Sequence, residues 1–193
     1  GGSILGAEAI YDFLNYKIGK KFTFINNLNS NIKKTSKNNL NIIISKSGNT
    51  LETISNSNVI LGKNSKNLFI TEDSQNYLMK LAYKLKSEII EHRNYIGGRY
   101  SVLSEVGMVP AELMGLNIKK FKRLNHLINN KKFMRNIIQN VSAILLFAKR
   151  KKNLSVILNY DESSNKLFEW YQQLVSESLG KKSKGIIPLI TTM

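Results

Sequence analysis

The 193-residue chain contains no cysteine, two prolines, one tryptophan and two histidines. Without cysteine there is no disulfide framework and no thiolate metal site. His92 and His126 stand far apart in the chain, so no ligand cluster has useful spacing and no metal centre is expected. A Gly-x-Ser-x-Gly elbow and a Walker-type phosphate loop are also missing, which leaves a serine hydrolase or a P-loop nucleotide enzyme without support. Long apolar runs are absent as well. The longest, residues 141–148, falls well short of the roughly 18–20 residues of a membrane span, and no membrane association is expected. Gly1-Gly2-Ser3 has no basic n-region of a secretory signal, so a cytoplasmic location is expected.

Acidic residues are also scarce. Thirteen Asp+Glu face 29 Lys+Arg, for a formal charge of +16 and a pI near 9.9. At 42% hydrophobic residues the chain is no disordered polycation. Such a pI is the electrostatic footprint of a nucleic-acid binder. The cations, however, are 24 Lys and only five Arg, whereas base and phosphate forks favour Arg. They are scattered, with no run longer than Lys149-Arg150-Lys151-Lys152, and they accompany 24 Asn, as A+T-rich coding would produce. No nucleic-acid partner is therefore expected, and the excess charge is assigned to solvated faces.

The apolar periodicity predicts alternating strands and helices. A Gly-rich turn over residues 1–6 leads into a helix over 7–14, and residues 22–25 read as a short strand. Residues 26–39 are polar and loop-like, with a single Ile at 32. The β-branched run 40–44 is the best buried strand of the first half, and a helix is expected from Leu51. Residues 59–61 and 68–70 read as further strands, and 77–90 as one helix. Beyond Gly97-Gly98, residues 102–114 form a helix interrupted at Pro110, and 133–150 a second, with Ile137, Ile138, Val141, Ile144, Leu145 and Ala148 as its apolar stripe. A strand over 154–158, a helix over 167–178 and a strand over 185–190 complete the pattern. Trp170 and Tyr171 are read as core. Alternation with short connections implies an α/β fold: a three-layer α/β/α sandwich on a parallel sheet. Both ends read as interior to a longer chain, since the Gly-rich turn lacks its preceding strand and the last strand has nothing after it.

The sharpest motif is Ser45-Lys46-Ser47-Gly48-Asn49-Thr50, between a buried strand and a helix. Hydroxyl donors, a glycine that admits close backbone approach and a helix N-terminus together suit an anion such as phosphate. The plain alternative is a Ser/Thr-rich turn with Thr50 as the helix cap. Gln173 and Glu177, four apart, would share one face of a helix. Taken singly, Glu177 is one polar-face glutamate among several and Arg99 a surface cation.

Read together, four blocks resemble the glucose-6-phosphate isomerase family and its sugar-isomerase (SIS) domains. They are Gly1-Gly2-Ser3-Ile4-Leu5-Gly6, Ile44 to Thr53, Gly97 to Ser104, and Gln173 to Lys181. They stand in the family's order and span essentially the whole chain. The resemblance implies two SIS-type, flavodoxin-like lobes, incomplete at both ends, over residues 1–112 and 113–193. It implies a phosphate site at Ser45, Lys46 (through its backbone), Ser47 and Thr50, with Gly2, Ser3 and Gln173 on the sugar. Glu177 is then the base that carries a proton between C1 and C2 through an enediol(ate), and Arg99 the cation that faces the reacting carbons. No cofactor is implied. The implied partners are a sugar-phosphate substrate and a second copy of the full-length chain, as a homodimer.

One departure qualifies the match. The family opens the sugar ring with a His and a Lys C-terminal to the base, whereas His92 and His126 both precede Glu177. The ring-opening pair is expected beyond Met193, and the 193 residues alone are expected to be inactive or nearly so. A non-catalytic sugar-phosphate-binding SIS module is the alternative within the same fold, and a basic nucleic-acid-binding protein the less favoured alternative from another class.

Overall fold

The computed structural model describes residues 2–28, 38–62, 65–181 and 184–192. The first block begins with helix α1 (Leu5–Phe13). Strand β1 (Leu40–Ile44), helix α2 (Leu51–Ile60), strand β2 (Lys66–Thr71), helix α3 (Tyr77–Lys84) and strand β3 (Glu88–Glu91) follow in strict alternation. The three strands form a parallel sheet in the order β1-β2-β3, with Ile43 opposite Phe69 and Phe69 opposite Ile89. Ile43, Phe69, Leu78 and Ala82 pack into one cluster, which sets α3 on the sheet. Phe69, Leu78 and Ala82 are fully buried, and fully burying a Phe or Leu side chain is worth about 1.5–3 kcal/mol.

A 3-10 segment (Gly98–Leu103) then leads into α4 (Glu105–Leu113), and α4 lies against α1. Their interface holds Ile10, Met108, Ala111 and Met114, flanked by Phe22, Phe24 and Phe121. Two short helices, α5 (Ile118–Phe121) and α6 (Asn125–Ile128), precede the long α7 (Lys131–Lys149). Strand β4 (Leu154–Asn159), helix α8 (Asn165–Leu179) and strand β5 (Ile187–Thr192) complete the order, with β4 and β5 paired in parallel. Helix α8 packs on α1 and also on β5. The expected α/β class and parallel pairing are found, distributed over two separate sheets.

Several local expectations are corrected. Residues 22–25 are irregular, because Phe22 and Phe24 turn their rings onto Tyr11, at 5.8 and 5.6 Å between centroids. Residues 59–60 belong to the last turn of α2. The helix expected over 77–90 stops at Lys84, where Lys86 adopts φ 50° and releases the chain into β3. Pro110 sits inside α4 without ending it. His92, expected at a helix end, follows β3 and is fully buried, and His126 lies in α6. Part of the polar stretch 26–39, namely residues 29–37 with Ile32, lies outside the described residues, as does Gly1.

Two uses of composition are visible only in the fold. Asn76, Asn117 and Asn130 each cap a helix N-terminus through the side-chain oxygen, so part of the asparagine excess is structural. The apolar stripe of α7 is real, but Ile138 and Leu145 stand 60% and 59% exposed and no residue of the helix is buried.

Candidate active site

The C-terminal ends of β1, β2 and β3 carry the chemistry-bearing loops, as in other open parallel sheets. After β1, Ser45 is buried, and its Oγ lies 2.8 Å from Thr50 Oγ1. Thr50 is the N-cap residue of α2, yet its hydroxyl makes no capping bond. The helix therefore begins with N–H groups that no side chain satisfies, at its partially positive end. Gly48 adopts φ 63°, and a Cβ there would fall on the Asn76 carboxamide. The Asn76 carboxamide fills the space against Gly48 and is itself fixed by the β2 loop and α3. Its Nδ2 donates to Thr71 Oγ1, the Glu72 carbonyl and Ser74 Oγ, and its Oδ1 accepts from Met79 N–H. Asn49 adds a tie, accepting from Tyr77 N–H at 3.0 Å.

This loop opens on a cleft of about 1800 Å³ whose walls include Gly2, Ser3, Ser45, Lys46, Thr50 and Gly98. That volume exceeds the roughly 300–1,000 Å³ of an ordinary small-molecule pocket, as an open cleft does.

A second cluster abuts Gly2. A Cβ on Gly2 would stand 3.3 Å from Arg99 N and 3.6 Å from Gln173 Nε2, so these segments approach Gly2 closely. Arg99 Nη1 donates to Glu177 Oε2 at 2.9 Å, Nη2 to the Glu177 carbonyl at 3.3 Å, and Nε to Ser178 Oγ at 3.1 Å. All three contacts lie near the C-terminus of α8, where the helix dipole favours a cation. Gln173 Nε2 donates to Glu177 Oε1 at 2.9 Å, which completes the line of the carboxylate. The expected one-face placement of Gln173 and Glu177 on α8 is found. Arg99, Gln173 and Glu177 lie beside Gly2 and Gly98 and not among the residues that wall the cleft.

Three partners in this cluster were not assigned to the site from sequence. Trp170, read as core, is only half-buried, and its Nε1 donates to the Arg99 carbonyl at 3.0 Å; Tyr171, also read as core, is 37% exposed. Tyr100 places its ring against the Arg99 guanidinium, and its hydroxyl lies 2.5 Å from Ser178 Oγ. The hydrogen bond to Ser178, and after it Arg99, lowers the Tyr100 pKa from 10.0. The signal for Tyr100 and Ser178 in the sequence is that they lie in the blocks Gly97–Ser104 and Gln173–Lys181, next to Arg99 and Glu177. Among the described residues no group of His, Asp and Glu side chains could hold a metal ion.

A family model described as phosphoglucose isomerase matches residues 1–186. The chain belongs to the phosphoglucose isomerase family. It is 35% identical, over 99% of its length, to a glucose-6-phosphate isomerase of Methanocaldococcus jannaschii, covering 51% of that protein. It is 30% identical to another from Mycoplasmopsis pulmonis, over 97% of this chain and 50% of that protein. The chain thus spans about half the length of the curated relatives it matches. In fold it resembles a hypothetical protein from Thermus thermophilus, with TM-score 0.79 at 22% identity, over all of this chain and 51% of that one. A glucose-6-phosphate isomerase from Chlamydia trachomatis gives TM-score 0.71 at 21% identity, over 98% and 43%.

Proposed function

We propose that the polypeptide to which these residues belong interconverts glucose 6-phosphate and fructose 6-phosphate, with no cofactor, and that Glu177 is the base. The observation that carries the reading is the Arg99–Glu177–Gln173 cluster, packed against Gly2 beside a cleft walled by the Ser45–Thr50 loop. The two-lobed division at residues 112 and 113 is part of this proposal, with the substrate between the Ser45–Thr50 loop of the first lobe and Gln173 and Glu177 of the second. A homodimer in the cytoplasm is its expected setting.

In this mechanism Ser45, Ser47 and Thr50, the Lys46 backbone and the start of α2 hold the phosphate dianion. Gly2, Ser3 and Gln173 line the sugar. The Glu177 carboxylate takes the proton from C2, and the C–H electron pair moves into the enediol(ate). The C1 oxygen takes up the proton that the C2 hydroxyl gives up, and the same carboxyl returns its proton to C1 as the C2 carbonyl forms. Arg99 supplies a fixed cation for the oxyanion that develops as the proton leaves. At rest its guanidinium is engaged by Glu177, and it shifts part of that interaction onto the substrate oxygen as negative charge moves there. Neither His92 nor His126 hydrogen-bonds to this cluster. Ring opening is therefore assigned to the part of the fold that the longer relatives possess.

The test is Glu177→Gln in a polypeptide extended to the relatives' full length. The amide keeps size and hydrogen bonding but cannot take a proton. Isomerisation should fall by about 10²–10⁴-fold, the usual worth of a positioned base, while sugar-phosphate binding persists. Unchanged turnover would remove Glu177 from the role. Binding without turnover in the unsubstituted protein would favour a non-catalytic sugar-phosphate module.

A further inference from the structure

Lys46 makes contacts that a backbone phosphate donor does not need. Its carbonyl accepts from Glu72 N–H at 3.1 Å and from Thr71 Oγ1 at 3.4 Å, which ties the β1 loop to the end of β2. Its ammonium then reaches across to the third loop. Nζ donates to the Asn94 carbonyl at 2.7 Å and stands 3.5 Å from Glu72 Oε1. One side chain thus bridges the chain just past β1, β2 and β3 together.

The third loop is tied at its start, where Arg93 N–H donates to Glu105 Oε1 at 3.3 Å and Arg93 Nη1 to the Tyr95 hydroxyl at 2.8 Å. Beyond that, Tyr95 is 73% exposed, and the remaining backbone bonds are local, Ile96 N–H to the Arg93 carbonyl and Tyr100 N–H to the Gly97 carbonyl. Two glycines, Gly97 and Gly98, separate this stretch from Arg99, and glycine lends the chain freedom that only external contacts remove. Lysine suits the bridge. A compact ammonium has three donors, so it can serve the carbonyl and the carboxylate at once. Glu72 offsets its charge beside the cleft, and both side chains are partly shielded, at 33% and 24% exposure.

We propose that Lys46 is a positioning residue whose ammonium pins Asn94, and thereby sets the distance between the anion loop and the Gly97–Arg99 segment. The proposal rests on the isomerase reading for its catalytic consequence, but not for the clamp itself. An ammonium that served only as a charge for phosphate would instead show its loss in binding.

Two measurements separate these outcomes. The first is amide hydrogen exchange on the 193-residue chain as wild type, Lys46→Met and Lys46→Arg. In Lys46→Met the amides of Ile96 and Tyr100 should exchange about tenfold faster, as expected when one charge-assisted tether is lost from a local opening unit. The amides of β2 should be unchanged, which separates a local effect from misfolding, and Lys46→Arg should restore most of the protection. The second is titration with inorganic phosphate and glucose 6-phosphate, in which Lys46→Met should weaken binding by no more than about threefold, as for a screened, partly exposed charge. In the extended polypeptide kcat should drop about tenfold, the scale set by slight misplacement of a reacting group, with KM nearly constant. Unchanged exchange at Ile96 and Tyr100, equal loosening of β2, or no recovery with Lys46→Arg would overturn the clamp. So would a tenfold or greater loss of phosphate binding, which marks a direct ligand contact. If wild type binds neither probe while the exchange pattern holds, the clamp stands and the phosphate assignment fails.

Discussion

Replacing Gly48 with alanine is the most discriminating perturbation of the Ser45–Thr50 loop. Gly48 sits at φ 63°, where an L-residue costs about 1–2 kcal/mol. Its new methyl would also fall on the Asn76 side chain, which is 2% exposed and cannot swing into solvent. Displacing Asn76 breaks its bonds to Thr71, Glu72, Ser74 and the N–H of Met79. At a net ~0.5–1.5 kcal/mol each, with partial re-formation after relaxation, this adds roughly 2–3 kcal/mol. Gly48→Ala should therefore destabilise the chain by about 3–5 kcal/mol, a large share of the roughly 5–15 kcal/mol typical of a domain. Urea unfolding measures it, and phosphate titration at low urea should show lost affinity. The double variant Gly48→Ala/Asn76→Ala is the control. With the carboxamide gone the clash disappears and only the left-handed strain is added to the cost of Asn76→Ala, so the double variant should be more stable than the summed single effects predict. Strict additivity, or a cost for Gly48→Ala below about 1 kcal/mol, would refute the account.

Further predictions concern buried charge and the Arg99 cluster. Glu8 is 6% exposed and its Oε2 has no hydrogen-bond partner, so burial raises its pKa above 4.5 despite Lys166 nearby. The folded state thus favours the protonated acid, and this stabilisation is complete below pH 4.5 and lost as pH rises through the elevated folded value. Glu8→Gln should remove that dependence and stabilise the protein at neutral pH, as urea midpoints across the pH range would show; a variant less stable at neutral pH would contradict it. Ser178→Ala removes the main cause of the lowered Tyr100 pKa, so phenol ionisation should move back up, read as the ultraviolet difference against Tyr100→Phe. An unmoved Tyr100 titration would show that Ser178 does not hold the ring.

Where the sequence is readable, local chemistry dominates. The β-branched run of β1, the Ser/Gly/Thr turn after it, and the helical stripes of α7 and α8 each depend on neighbours within a few residues. Strand β3 is not legible. Its Glu-Ile-Ile-Glu is four residues long and continues the apolar rhythm of α3, and only its pairing with β2 and the left-handed Lys86 make it a strand. Val59 reads as strand because β-branched residues carry a propensity that a helix can override, as α2 does. In the candidate site, the roles of Glu177 and Arg99 come from a family resemblance, while Trp170, Tyr100 and Ser178 acquire partners only in three dimensions.

Sequence alone determined the pieces: a parallel α/β pattern, a Ser/Gly/Thr loop at a strand-to-helix turn, and two side chains four apart on one helix. Each follows from backbone geometry and the spacing of side chains along a single element. Only the tertiary structure decided that Arg99 and Glu177, 78 residues apart, would meet as an ion pair beside Gly2. It also decided that Lys46 would reach past β2 to the Asn94 carbonyl. The physical reason is that a salt bridge or a hydrogen bond acts over about 3 Å, a distance set by how α8 packs on α1 and how the strands register, not by position in the chain.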